Sequence, residues 1–339
     1  MTRAVAVLSA ASAAWLLQAG AVTGQTLAVE VTQSAGTSSE SISALGTQVR
    51  LLGEAVPGLR WNVEGAWATR SRDESDVFGA AYPYEGRAEI IEAYGEFLFA
   101  GTRGLRAVKA GRYRTPFGIA SSSDHAYIGF HRPPLVRYGE YFALSSGYLE
   151  HGVDVVVGVP RLSVEASVGL PADVGSAIRR SGVNTVARAE AAAGALIVGA
   201  SVIDTTPYLP ERFARGRARF AGVDARWMKG GVMVRGEWLA GQPFDGTRTT
   251  GGYADVIVHR PFMGPVTALA RAERLAYDAA PPHALYSQRY SAGARVRLWK
   301  SVAVSAGVVY QAGQVTQRRR TALDLGLTGS FRRDYGTHP

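Results

Sequence analysis

The chain has 339 residues, no cysteine and a formal net charge of +9, and 47% of its residues are hydrophobic. The lack of cysteine excludes a disulfide-stabilised secreted scaffold. Nearly all of the positive charge is arginine, and no basic run occurs beyond Arg318-Arg319-Arg320. The sequence therefore predicts no basic patch of the kind that binds nucleic acid.

The N-terminal segment has the layout of a signal peptide. Arg3 is followed by an apolar run from Ala4 to Leu17 and by the small residues Ala19-Gly20-Ala21. This run is shorter than the ~20 residues that a membrane-spanning helix needs. We predict a cleaved signal over residues 1–24, with an alternative cut after Ala21. No later apolar run approaches that length, so membrane insertion must use strands.

The rest of the chain is one undivided series of about sixteen alternating segments. We predict a single barrel over residues 25–331 and a short C-terminal tail over 332–339. An even number of strands is typical of bacterial outer-membrane barrels. The candidate strands lie near 26–33, 43–53, 58–69, 88–100, 104–115, 151–159, 161–170, 183–191, 194–204, 216–228, 231–241, 250–260, 264–277, 288–299, 301–312 and 320–331.

The last candidate strand shows the facing most clearly. Leu323, Leu325 and Leu327 share one face, while Asp324 lies on the other, because side chains alternate along a strand. Apolar residues outside and polar residues inside are the signature of a transmembrane β-barrel. We therefore predict an all-β, antiparallel transmembrane barrel in the outer membrane of a Gram-negative bacterium. Its outer surface is expected to contact membrane lipid and lipopolysaccharide.

The connections differ in length. Val56-Pro57-Gly58 and Lys229-Gly230-Gly231 predict tight periplasmic turns, whereas segment 116–150 is the longest stretch without strand alternation. Loops of this length inside a compact fold are usually functional. Its prolines and aromatic residues favour a loop that packs into the lumen. The predicted constriction residues of this loop are Asp124, Arg132, Arg137 and Glu140.

Arginines on the inward phase are the main candidates for function. Rings of arginine in a water-filled pore favour anions, because low-dielectric walls strengthen their field. The alternative is that they neutralise neighbouring acids. This interpretation is equally open for Arg226, Arg235 and Arg271, which lie near Asp224, Glu237 and Glu273. By the alternation of its own strand, Lys109 would lie on the outer face, together with Leu105 and Tyr113. The predicted pore-lining residues are Arg112, Arg114, Arg235, Arg271, Arg289, Arg295 and Arg297.

Catalytic and metal-binding signatures are missing from the sequence. It contains no G-x-S-x-G elbow, no cysteine nucleophile and no His-x-x-x-His or Glu-x-x-His spacing, so we predict no enzyme, no metal site and no cofactor. Two alternatives remain open. One is a barrel plugged by segment 116–150 that acts as an enzyme or adhesin, and the other is a soluble periplasmic sandwich or propeller.

The segment Gly111-Arg112-Tyr113-Arg114-Thr115-Pro116-Phe117-Gly118 resembles a stretch that precedes the constriction loop in the phosphate-selective porin O and P family. Weaker similarities occur at Glu150-His151-Gly152-Val153, at Gly251-Gly252-Tyr253 and at Arg271–Asp278. The resemblance implies a sixteen-stranded, trimeric porin with an infolded third loop. It also implies that Arg112 and Arg114 line the wall beside the constriction.

Together these features predict an outer-membrane porin for passive diffusion of small hydrophilic solutes. The inward arginines predict a preference for small anions, and the resemblance adds phosphate and other oxyanions. The expected partners are such anionic or polar solutes and two further copies of the chain.

Overall fold

The computed structural model describes residues 26–71, 85–101, 103–119, 130–132, 134–137, 149–172, 182–205, 218–242, 248–259, 264–278, 285–313 and 320–336. The predicted signal peptide lies outside these residues. Within them are sixteen strands and a short 3-10 helix at Leu135–Arg137. The strands are β1 (Thr26–Ser38), β2 (Ile42–Val56), β3 (Leu59–Arg70), β4 (Glu85–Leu98), β5 (Gly104–Arg114), β6 (Leu149–Val159), β7 (Leu162–Ala172), β8 (Asn184–Ala193), β9 (Leu196–Thr205), β10 (Ala218–Lys229), β11 (Val232–Gln242), β12 (Arg248–Val258), β13 (Val266–Asp278), β14 (Leu285–Arg297), β15 (Val302–Gly313) and β16 (Arg320–Tyr335).

The strands form one closed antiparallel barrel. Each strand pairs with its neighbours in sequence, and β1 pairs with β16 to close the sheet. The closing register runs from Leu27 opposite Tyr335 to Ser38 opposite Asp324. A closed barrel satisfies every inter-strand hydrogen bond and leaves no open edge in lipid. The prediction of a sixteen-stranded all-β barrel is confirmed.

The outer face of the barrel is apolar, as predicted. Leu323, Leu325 and Leu327 are 44–47% exposed, whereas Asp324 between them is fully buried in the interior. The same alternation recurs in β7, where Leu162, Val164, Val168 and Leu170 face outward. None of the helices in the described part of the chain is long and apolar enough to span a bilayer.

The two rims of the barrel differ in their connections. Residues 57–58, 160–161, 194–195 and 230–231 form tight turns at one rim. Gly58, Gly194 and Gly230 adopt positive φ there, which glycine does without steric strain. The strand ends that are joined by the longer connections 71–84, 115–148, 173–183 and 206–217 lie at the opposite rim. This division matches short periplasmic turns and longer extracellular loops.

Strand β5 differs from the predicted facing. A register shift between Leu105 and Ala107 moves the alternation by one residue, which exchanges the two faces beyond it. Lys109 consequently faces the interior. Arg112 lies on the outer face opposite His151, with its Nη1 atom 3.3 Å from the imidazole Nε2. The prediction that Arg112 lines the pore is therefore corrected.

The last strand is longer than the alternation predicts. The predicted strand ends at Phe331, whereas β16 continues to Tyr335 and stays paired with β1. Arg332 lies opposite Glu30, and its Nη1 donates to Glu30 Oε1 at 2.7 Å. Apolar alternation ends at Phe331, but backbone pairing continues. The predicted tail is shortened accordingly.

Candidate functional site: the barrel interior

The chain enters the interior directly after β5. Residues Thr115–Ile119, named here the first limb, cross towards β9–β11. The backbone N–H of Gly118 donates to Ser201 Oγ at 3.1 Å, and that of Ile119 donates to Glu237 Oε2 at 3.2 Å. These bonds fix the first limb to the opposite wall. The prediction that the long loop enters the lumen is confirmed for its described residues.

A second part of the loop, Phe130–Arg132 and Pro134–Arg137, is named the second limb. Arg132 binds Asp324 of β16 through Nε and Nη2, at 2.7 and 2.9 Å, and its Nη2 also contacts Glu40 Oε2 at 2.9 Å. The backbone N–H of Leu135 donates to Glu273 Oε1 of β13 at 2.9 Å. The second limb is thus held against β13–β16 by charge-assisted bonds.

Arginines of β11, β13 and β14 are bound within the wall next to this limb. Arg235 Nε and Arg271 Nε both donate to Asp255, at 2.9 and 2.6 Å, and Arg289 Nε donates to Glu273 at 2.6 Å. All five side chains are at most 9% exposed. These three predicted pore residues therefore neutralise acids, which is the alternative left open for Arg235 and Arg271. Arg271 also supports the second limb, because its Nη1 donates to the carbonyl oxygen of Arg132 at 3.1 Å, and Arg289 does so through Glu273.

Apolar contacts fill one side of the interior. Side chains of both limbs pack against inward residues of β8–β13, and we name this group the lumen apolar cluster. Burial of such side chains from water stabilises the infolded loop. The cluster consists of Phe117, Ile119, Leu135, Val136, Val186, Ile203, Ala218, Phe220, Leu239, Tyr253 and Leu275.

The other side of the interior holds a polar cavity of about 380 Å³, named the lumen cavity. It lies between β2–β5, β7–β10 and the first limb. Five cationic and three acidic side chains are among the described residues that line it. The cations are Arg50, Lys109, Arg114, Arg188 and Arg226, and the acids are Glu92, Glu165 and Glu190.

Glu64 organises the β2–β5 side of the cavity. It is only 1% exposed and accepts from Arg50 Nη2 at 2.5 Å and from Arg114 Nη2 at 2.6 Å. Arg114 Nη1 also lies 3.0 Å from Glu92 Oε2, and its backbone N–H donates to Glu92 Oε1 at 3.1 Å. Because β5 ends at Arg114, this side chain turns into the lumen, as the sequence predicts.

Lys109 occupies the centre of the same wall. Its Nζ lies 2.7 Å from Asp154 Oδ2 and 3.8 Å from Glu165 Oε1. It also lies 5.0 Å from the ring centroid of Tyr113, within the range of a cation–π interaction. A lysine on a lipid-facing strand would be costly, and its position inside the barrel removes that cost.

Arg188 and Arg226 complete the cavity on the β8–β10 side. Arg188 Nη1 donates to Asp224 Oδ2 at 2.6 Å and to Ser201 Oγ at 3.0 Å. Its Nη2 contacts Glu190 Oε2 at 3.0 Å, and Arg226 contacts the same oxygen. Acids of β8 and β10, reaching across β9, therefore hold both guanidinium groups at the cavity wall.

The remaining predicted residues have different positions. Arg295 and Arg297 lie on the inward phase of β14, near the short-turn rim, and Arg297 is exposed. Arg137 belongs to the 3-10 helix, and its side chain lies outside the described residues. Asp124 and Glu140 lie outside them entirely. Within the described ranges no group of three His, Asp or Glu side chains could hold a metal ion.

His131 of the second limb lies against β16. Burial lowers the pKa of its imidazole, and the positive charge of Arg132 adds to this, while Asp324 opposes it. The ring lies close to Gly326, since an added Cβ there would be 2.2 Å from its Cε1 atom. The neutral imidazole therefore fits this position best.

Several important side chains were not predicted from the sequence. Arg50, Lys109 and Arg188 line the cavity, and the acids that bind them come from the next strand (Glu64, Asp154) or from the strand after that (Asp224). For Arg226 the sequence left pore lining and neutralisation of an acid equally open, and this side chain contacts Glu190 at the cavity wall. The only sequence signal is the recurrence of charges on the inward phase of these strands. Which charges meet depends on strand register, which a single sequence does not specify.

These features define the chain as an outer-membrane β-barrel whose lumen is crossed by an infolded loop. The chain is similar in fold to Salmonella typhi OmpF, solved in complex with daunomycin (12% identity, TM-score 0.63, covering 91% of this chain and 97% of that one). It is also similar to OmpT, an outer-membrane protein of Vibrio cholerae (10% identity, TM-score 0.60, covering 92% of this chain and 99% of that one). A third similar structure is the anion-selective porin from Comamonas acidovorans (11% identity, TM-score 0.58, covering 91% of this chain and 98% of that one).

These similarities are at the level of fold. No protein-family model matches the chain, and no curated protein matches it.

Proposed function

We propose that the protein is a porin, a water-filled channel for passive diffusion of small hydrophilic solutes. The observation that carries this proposal is the lumen cavity, which is lined by charged groups beside the infolded loop. A lumen built only for stability would favour apolar packing, because buried ion pairs are often no more stable than hydrophobic replacements. Retained charge along a lumen suits solvated solutes.

We further propose that the channel prefers anions. Five cations and three acids line the cavity, while the acids Glu64, Asp154 and Asp224 lie behind their basic partners at 0–1% exposure. Mobile ions therefore meet more positive than negative groups, and their field acts over about a Debye length, ~8–10 Å at physiological salt.

Planar-bilayer recording tests both proposals. The purified barrel is expected to give stepwise conductance, and in a KCl gradient the reversal potential should move towards the chloride equilibrium potential. Folded protein that gives no conductance would refute the channel. Conductance with a reversal potential near zero or towards potassium would refute only the anion preference.

Phosphate is the oxyanion to examine first. The resemblance of Gly111–Gly118 to the phosphate-selective porin O and P family supports this choice. The guanidinium groups of Arg50, Arg114 and Arg188 also match the geometry of phosphate oxygens. Millimolar phosphate should reduce chloride current more than equal concentrations of acetate or sulfate. Equal inhibition by all three would indicate a general preference for anions.

A homotrimer is the assembly that we propose, on the basis of the same resemblance. Among the similar solved structures, OmpT of Vibrio cholerae is described in a trimer form. Cross-linking of the native barrel in mild detergent should give a ladder that ends at three copies. A ladder that ends at one or two copies would contradict the proposal.

The plugged barrel remains the second candidate, favoured by the lumen apolar cluster, which joins both limbs to the wall. Liposome swelling separates the two functions. Proteoliposomes that swell in a small sugar such as arabinose have an open channel. Absence of swelling, with folded protein in the membrane, would favour the plug.

A further inference from the structure

The outer face of the barrel carries a groove of about 560 Å³ between β10 and β14. The groove is open along its outer side. The floor of the groove is made of small residues from three adjacent strands: Gly236, Gly252, Ala254 and Ala272. A continuous apolar hollow on the lipid side of a barrel is shaped for a hydrocarbon chain.

Two aromatic residues form the sides of the groove. Trp238 and Tyr290 are 46% and 50% exposed on the outer face. The indole of Trp238 lies against Gly252, because a Cβ added at that glycine would be 2.5 Å from its Cε3 atom. The groove has its depth because the glycines and alanines of the floor have little or no side chain. The Trp238 side of the groove is therefore held by packing against Gly252.

A cationic side chain lies at the end of the groove near the long-loop rim. Strand register places Trp238, Gly252, Arg274 and Gln288 in one row across β11–β14. Arg274 is exposed and alternates with Glu273, which faces the interior. In the part of the chain that the structure describes, Arg274 makes no ion pair. An arginine on the lipid face is costly in hydrocarbon, so an anionic lipid headgroup is its natural partner.

A second groove of about 550 Å³ lies beside the first, over β8–β11. Its floor contains Ala187, Ala221 and Ala240, and the pair Arg219–Asp204, at 3.2 Å, lies at its upper edge. Ala221 and Ala240 are two residues along their strands from Val223 and Trp238, which border the first groove. Arg219 stands four residues along β10 from Val223, which belongs to the Arg274 row, so each groove has its own polar row. Two neighbouring hollows suit a lipid with several acyl chains.

We propose that this outer face binds lipopolysaccharide, with acyl chains in the two grooves and a lipid phosphate at Arg274. The long-loop rim faces the outer leaflet of the membrane, where lipopolysaccharide is the phosphorylated lipid with several chains. The site is separate from the lumen and does not depend on whether the barrel conducts. It uses charge complementarity at one end and shape at the other.

The test is a titration of the detergent-solubilised full-length barrel with purified bisphosphorylated lipopolysaccharide, followed by native mass spectrometry. Arg274→Gln should weaken binding at least fivefold, and Ala272→Phe, which fills the floor, should abolish one bound molecule. Ala166→Phe, at an exposed outward position on β7, is the matched control and should bind as the unaltered barrel does. Folding of each variant is checked by heat-modifiable migration.

Several outcomes would overturn the proposal. Equal affinity of Arg274→Gln and the unaltered barrel would do so, as would equal weakening in Ala166→Phe. Equal binding of phosphatidylglycerol would show that the surface accepts any anionic lipid. Removing the phosphates from lipopolysaccharide should weaken its binding to the unaltered barrel. The loss should be at least as large as the loss that Arg274→Gln causes with the phosphorylated form. If Ala272→Phe does not fold, the proposal is decided by Arg274→Gln together with phosphatidylglycerol and dephosphorylated lipopolysaccharide.

Discussion

Arg112 and Arg114 belong to the same strand but have different surroundings. Arg114 is held in the lumen by Glu64 and Glu92, whereas Arg112 contacts His151 on the outer face. The fields of the two guanidinium groups therefore act on different media. Arg114 borders the lumen cavity, and Arg112 does not.

Replacing Arg114 with Ser should shift ion selectivity towards cations, because Glu92 then loses one of its cationic neighbours beside the cavity. We expect the chloride-to-potassium permeability ratio to fall by roughly twofold, since lumen charges tune selectivity. Arg112→Ser is the matched control and should leave the ratio unchanged. Reversal potentials in a KCl gradient measure both, and an equal effect of the two variants would contradict the assignment of faces.

Gly118→Ala should release the first limb from the wall. Gly118 has a φ of 58°, and an added Cβ would lie 1.9 Å from Glu237 Oε1. Gly194 has a φ of 59° with nothing within 4 Å of such a Cβ. Both variants incur backbone strain of about 1–2 kcal/mol, but only Gly118→Ala also disrupts a loop contact. We expect single-channel conductance to change in Gly118→Ala alone, and an equal change in Gly194→Ala would argue against this contact.

Acidification should loosen the second limb through His131. Its pKa is lowered by burial, so protonation is easier when the limb is displaced than when it is seated. The stabilisation from the neutral ring is complete above the ordinary pKa of ~6.5 and is lost as the pH falls below it towards the lowered value. Conductance noise should rise between pH 7 and pH 5, and His131→Gln should show no such rise. Persistence of the rise in that variant would assign it to another group.

At the scale of the element, β16 provides the clearest test of the membrane face. Leu327→Arg puts a charge on the outer face near the middle of the strand, where the cost approaches about 2–4 kcal/mol. Ser330→Arg, on the lumen phase of the same strand, is the matched control and should have a smaller effect. Urea unfolding in lipid vesicles measures both, and similar losses would show that β16 does not face hydrocarbon there.

Element positions were largely predictable because alternation of apolar and polar residues repeats in every strand. The two differences have local physical causes. Alternation cannot locate a bulge such as that between Leu105 and Ala107, and it stops at Phe331, although backbone pairing continues to Tyr335. The alternation of apolar and polar side chains shows which part of a strand has an apolar outer face, whereas the length of the strand is set by backbone hydrogen bonding.

The interior was less predictable than the wall. Glu64 could be placed inside from its phase, but its partners come from two different strands, Arg50 from β2 and Arg114 from β5. The lumen apolar cluster was also missed, because Phe220 and Leu239 stand at inward positions that the barrel pattern reserves for polar residues. Only the path of the infolded loop explains why these positions are apolar.

For the whole molecule, the division of the lumen into a filled and an open side should govern solute size. Phe220 is 3% exposed in the lumen apolar cluster, whereas Val223 of the same strand is 58% exposed on the outer face. Phe220→Ala should increase conductance and admit larger sugars, although truncating a buried Phe can cost about 3–5 kcal/mol. Val223→Ala should alter neither property. Liposome swelling with sugars of increasing size measures the effect, and an unchanged cut-off in Phe220→Ala would place the conducting path elsewhere.

Closure of the barrel by β1 and β16 also has a kinetic consequence. The contact between Glu30 and Arg332 joins residues 302 positions apart, whereas every other strand pair joins neighbours in the chain. Neighbouring hairpins form early because short connections cost little loop entropy, and the closing pair must wait for the whole sheet to assemble. Until then two strand edges remain open, and open edges recruit other chains into aggregates. Folding of this chain therefore depends on protection of β1 and β16 until they meet.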